Sequence, residues 1–140
     1  MSIQDITAER KAIIETELRS LMDQFWIAAS ETDFERIYAM VDDRHHMSAI
    51  DSGVFYPTPE ASKVRFQSGI GRQDYTIDEM RIAVLAENIA AVITHGEIAF
   101  FPNNGDKQLT KFAMSLIWIK IEDQWKLAHM HQSFPLPASE

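Results

Sequence analysis

The chain has 140 residues, 46% of them hydrophobic and 24% charged, with no cysteine and a formal net charge of −8. Its composition excludes a disordered chain, and the missing cysteines exclude disulfides, zinc–thiolate sites and thiol catalysis. The acidic balance and scattered Lys and Arg argue against nucleic acid or an anionic membrane as a partner.

This length suits one domain over residues 1–140, able to bury roughly two thirds of its unfolded surface. The opening MSIQDITAERK lacks the apolar core of a signal peptide, and no apolar run nears the ~20 residues of a membrane span. A cytoplasmic protein is expected. In the first third, Ile14, Leu18, Leu21, Met22, Phe25, Trp26 and Ala29 recur at three- and four-residue steps, one apolar face of a helix. A second helix is expected from about Asp33 to Val41, started by a capping box of Thr32 and Glu35 and turning Phe34, Ile37, Tyr38 and Val41 inward.

RHHMSAID reads as a first strand, and SGVFYPTPEA as a loop leading to a third helix. Thr58 can cap that helix, with Pro59 preset at its first position and an end near Ser68 and Gly69. Strands are expected over Tyr75 to Leu85, Ile89 to Phe101, Lys107 to Ile121 and Trp125 to Ser133. PNNGD and EDQ supply the turns between the last three. Helices followed by an antiparallel meander define an α+β fold with helices on one sheet face.

Strand parity gives a second inference. Phe112, Met114, Leu116 and Trp118 line one face of the third long strand; Ala113, Ser115, Ile117, Ile119 and Ile121 line the other. Both are substantially apolar, whereas a one-sided antiparallel sheet shows a polar outer face. A second copy of the sheet is the economical cover, so a homodimer is expected.

ETDFERIYAMVDD, MSAID and above all DQWKLAHMHQS, with Trp125, Leu127, His129, His131 and Ser133, resemble the nuclear transport factor 2-like superfamily over nearly the whole chain. The similarity is greatest to its SnoaL-like branch and to the association domain of calcium/calmodulin-dependent kinase II. It implies a cone-shaped curved sheet around the helices, a pocket on the concave side and subunit pairing on the convex side. The superfamily holds both enzymes and non-catalytic members, so the fold leaves function open.

The orientation taken from the resemblance places Gln132, Met130, Ala128 and Lys126 on the pocket side of the last strand. Phe112, Met114, Leu116 and Trp118 line the next strand, and Thr94, Gly96 and Ile98 the one beyond. The kinase domain's pocket arginines fall on Gln132, Leu116 and Gly96, none basic here, so a hydrophobic or aromatic small molecule fits better than an anion. Trp26, Tyr38 and Phe66 on the helices complete the expected ligand-binding set. His129 and His131 then fall on the convex, pairing face with His95, Ile117 and Ile119.

Interface hydrogen bonding is the leading reading of these histidines, ahead of proton transfer or a metal site with His95. No metal and no cofactor is assigned. His45 and His46 read as solvated strand-entry residues. Asp51, beside the aromatic SGVFY loop, is the candidate general acid or base, with Tyr56 as a hydrogen-bond donor. The expected function is a small-molecule domain, as a cofactor-free isomerase, cyclase, dehydratase or hydrolase, or else a non-catalytic binding or dimerisation domain.

Overall fold

A computed structural model describes residues 5–42, 47–67, 72–102 and 105–135, with the backbone alone for 64–67. Helix α1 runs Ala8–Ser30. The Thr7 side chain caps it by accepting the Arg10 N–H at 3.1 Å, and Ile14, Leu18, Met22, Phe25, Ala28 and Ala29 form its buried stripe. Helix α2 is shorter than expected, Phe34–Ala39, and none of its residues is fully buried. Its cap is Asp33, not Thr32: the Asp33 carboxylate accepts the Arg36 N–H at 3.2 Å, while Thr32 stands in the turn at φ 52°. Aspartate caps as well as threonine, so placing it one residue nearer the helix displaces the capping box.

Six strands form one sheet in the order β2-β1-β6-β5-β4-β3. Its meander is as expected: β3 (Arg72–Ala86), β4 (Ile89–Phe101), β5 (Gln108–Ile121) and β6 (Gln124–Ser133) pair antiparallel in sequence. Two features were not expected. First, β1 (Ser48–Asp51) lies parallel to β6, with Ser48 opposite His129 and Asp51 opposite Gln132, which makes the sheet mixed. Second, part of the segment read as a loop is a strand, β2 (Val54–Tyr56), returned onto β1 by a turn at Ser52 (φ 52°) and Gly53 (φ 84°). Two consecutive positive-φ residues make the tight hairpin turn, and only the glycine advertises it. Helix α3 is Pro59–Gln67, and the Ala61 N–H donates to the Thr58 hydroxyl at 3.2 Å. His45, His46 and the Phe66 side chain lie outside the described residues.

Two register slips decide which side chains face inward. Between β3 and β4 the pairing jumps from Ile77–Gly96 to Glu79–His95, leaving Asp78 as the bulge. The Thr94 hydroxyl donates to the Glu79 carbonyl there at 2.8 Å, and a Cβ at Gly96 would collide with the Thr76 carbonyl oxygen. Between β5 and β6 the pairing jumps from Ile117–His129 to Trp118–Leu127, leaving Ala128 as the bulge. Strict alternation had put Ala128 and Lys126 inside and Leu127 outside. The extra residue reverses that assignment: Leu127 is 1% exposed and core-packed, while Met130 and Gln132 remain inside.

The concave face of the sheet packs on α1, and its buried residues include Val92, Ile98, Phe112, Met114, Leu116 and Trp118. The Trp118 indole N–H has no hydrogen-bond partner among the described residues. On the opposite face Ile89, Ile93 and Ile117 stand exposed beside His95 and His131. No helix among the described residues is long and apolar enough to cross a membrane.

Candidate functional site

A cavity opens where α1, α2 and α3 meet the concave face. Phe25, Ala29, Phe34, Ile37, Val41, Met47, Ala49, Met114, Leu127 and Met130 make it mostly apolar; Tyr38, Ser62, Gln73, Tyr75 and Gln132 are its polar points. Water-sized spheres can be centred in about 50 Å³ of it, and its empty space out through the mouth is about 590 Å³.

The polar residues fall into two groups. The first stands on the sheet. Gln73 and Tyr75 alternate to the same side of β3, and the Tyr75 hydroxyl donates to Gln73 Oε1 at 3.3 Å. Burial raises the Tyr75 pKa far above the usual phenol value; the Gln132 amide partly offsets this, and the charge of Asp51 adds to the rise. Tyr75 is therefore a neutral hydrogen-bond donor throughout the physiological range. Asp51 is 5% exposed and is the register partner of Gln132 across the parallel β1–β6 pair. Its Oδ1 accepts the Ser52 hydroxyl at 2.9 Å, and it lies beside the cavity wall without lining it.

The second group joins the two short helices. Ser62 Oγ donates to the Pro59 carbonyl at 2.7 Å, which leaves its oxygen to accept from the Tyr38 hydroxyl at 3.0 Å. Burial raises the Tyr38 pKa, the Ser62 bond lowers it in part, and Glu60 adds a smaller upward push. The Lys63 ammonium sits 4.8 Å from the centre of the Tyr38 ring.

Of the residues expected in the pocket, Tyr38, Met114, Met130 and Gln132 line the cavity. Phe112, Leu116 and Trp118 do not line it; they are packed in the core. Trp26 is also set back, in ring contact with Phe25 (5.3 Å), Tyr75 (4.9 Å) and Phe112 (6.1 Å). Tyr56 is half-buried opposite Ala49 and contributes nothing to the lining.

Sequence reasoning missed Tyr75, Gln73, Ser62 and Leu127. Extending the third strand's alternation two residues upstream from Tyr75 would have found Gln73; the bulge hid Leu127. The histidines stand on the convex side: His129 Nδ1 is 3.0 Å from Ser48 Oγ, and His95 Nε2 is 3.4 Å from Glu79 Oε1. Among the described residues, no three His, Asp or Glu side chains converge as metal ligands would.

The fold and the cavity define the chain's class, an α+β cone with a mostly apolar cavity between its helices and sheet. A family model described as the SnoaL-like domain matches residues 18–137, and the chain belongs to that family. Solved structures agree on the fold. A nuclear transport factor 2-like superfamily protein from Salmonella enterica superposes with TM-score 0.81 at 16% identity, covering 92% of this chain and 96% of that one. A putative scytalone dehydratase from Novosphingobium aromaticivorans gives 0.82 at 10% identity, covering 93% and 89%. The association domain of CaMKII from C. elegans gives 0.71 at 21% identity, covering 91% and 99%. No curated protein matches the chain by sequence.

Proposed function

We propose that the cavity binds a small, largely apolar molecule carrying a carbonyl or hydroxyl group and performs cofactor-free acid–base chemistry on it. One observation carries this reading: at the sheet end of a mostly apolar cavity, the neutral Tyr75 hydroxyl stands with Gln73 and Gln132, and Asp51 lies next to Gln132. A buried neutral phenol can hydrogen-bond an oxygen as negative charge builds on it. The charge of Asp51 reaches that phenol, and Asp51 is the group suited to move a proton nearby. Among the described residues no cation contributes to the shift of the phenol, which favours a neutral group at that end. That a fold neighbour is named a putative scytalone dehydratase is compatible with eliminations among the reactions considered.

The test is a thermal-shift screen of neutral aromatic ketones and phenols against the wild type and Tyr75→Phe, followed by turnover assays on Asp51→Asn. Hits whose shift is lost in Tyr75→Phe, with turnover lost in Asp51→Asn, support the reading. Turnover unaffected by Asp51→Asn leaves binding without catalysis, and hits indifferent to Tyr75→Phe remove the proposed site.

A second copy of the chain is the proposed partner. The exposed side of the sheet holds Ile89, Ile93 and Ile117 at 37%, 50% and 39% exposure, an apolar strip across β4 and β5 that water covers poorly. Ile119, His95, His129 and His131 share that face, and a two-fold pairing would bury it against its own copy. Sedimentation of Ile93→Asp/Ile117→Asp as a monomer beside a dimeric wild type supports this; two species of equal mass refute it.

A further inference from the structure

The cavity does not end at its apolar wall. A second, open hollow lies against its helix side, lined by Phe34, Glu35, Tyr38 and Lys63, and the two share Phe34 and Tyr38. The sheet end of this path offers a neutral donor and amides beside a carboxylate. Its outer end offers an ammonium. The Lys63 ammonium lies over the Tyr38 ring, and no carboxylate of the described residues lies within ion-pairing range of it. A lysine held over a ring, part-shielded and without a counter-ion, attracts a carboxylate more than a fully solvated lysine does.

From this polarity we infer a ligand with two unlike ends: a neutral carbonyl or hydroxyl at Tyr75, an apolar body along the cavity, and a single carboxylate emerging at Lys63. Lys63 is then a specificity-determining residue at the mouth. Glu35, exposed in the same hollow, and Glu60, whose charge reaches Tyr38, disfavour a doubly charged group there. The inference rests on the proposed cavity function and adds the chemistry of the ligand's outer end.

The experiment uses the intact chain, a homologous series of straight-chain alkanoic acids carrying a para-acetylphenyl group on the terminal carbon, and the methyl esters of the same acids, with affinities measured by calorimetry. For the chain length that reaches the mouth, the acid should bind about three- to fivefold tighter than its ester at low salt, the range of a partly exposed ion pair. The preference should fade as ionic strength rises. Lys63→Gln should bring acid and ester to equal affinity and remove the salt dependence, while Tyr75→Phe should weaken acid and ester alike and keep the preference for the acid. A preference that survives Lys63→Gln, or esters equal to acids at every chain length in the wild type, overturns the role of Lys63 and leaves the cavity reading intact. If neither acids nor esters bind, the cavity reading itself falls, and this inference with it.

Discussion

Gly96→Ala is the most demanding test of how the site is built. The glycine lies on β4 where the bulge at Asp78 brings the neighbouring strand closest. An added Cβ would meet the Thr76 carbonyl oxygen, and the Thr76 carbonyl carbon and Asp78 nitrogen lie about 3 Å away, at 3.0 and 3.1 Å. All three are backbone atoms fixed in the ladder, so no side chain can rotate to make room. Overpacking of this kind costs about 1–3 kcal/mol, and more when the backbone must move. At about 3–5 °C of melting temperature per kcal/mol for a chain of this size, the variant should melt roughly 3–15 °C below the wild type by calorimetry.

A second consequence is local. Relieving the clash displaces the bulge, and the bulge sets the alternation that puts both Tyr75 and Met80 on the inner side of β3. Ligand binding at Tyr75 should therefore weaken even at temperatures where the variant is fully folded. A Gly96→Ala protein that melts within about a degree of the wild type would refute the reasoning, because the close approach of β3 and β4 would then be absent.

Three further outcomes are expected. Leu127→Ala removes a side chain that is both core and cavity wall; it should cost about 2–4 kcal/mol in urea denaturation and let the cavity accept a bulkier apolar ligand. Tyr38→Phe deletes the hydroxyl bond to Ser62 and should cost about 1 kcal/mol by the same assay, with the secondary structure unchanged in circular dichroism. Tyr75 has a folded pKa raised above its usual value of 10.0, so the stability tied to its neutral form is present below about pH 10 and is lost as pH rises beyond it. Ultraviolet titration should show the same number of tyrosines ionising near pH 10 in the wild type and in Tyr75→Phe, and chemical denaturation should show stability falling above pH 10 more steeply in the wild type than in Tyr75→Phe.

Much of the fold was legible in the sequence because burial imposes a period. The α1 stripe from Ile14 to Ala29 has the helical repeat, and Phe112, Met114, Leu116 and Trp118 the two-residue repeat of a strand; each was read correctly because a helix or strand packed on one side must place its apolar residues so. The resemblance carried by DQWKLAHMHQS located the concave side, and Met130 and Gln132 came out facing it. What the sequence could not show were the interruptions. A bulge adds one residue without changing composition, so Ala128 reversed Leu127 with no local warning. The parallel β1–β6 pair, which sets Asp51 beside Gln132, joins residues about eighty apart in the chain, and no period spans that gap. Membership of the cavity wall was decided in the same way. Trp26, Phe112, Leu116 and Trp118 have the right character and the right face, but side chains packed against one another there leave no space, while the meeting of Tyr75, Gln73 and Gln132 follows from how far the curved sheet carries β3 toward β6.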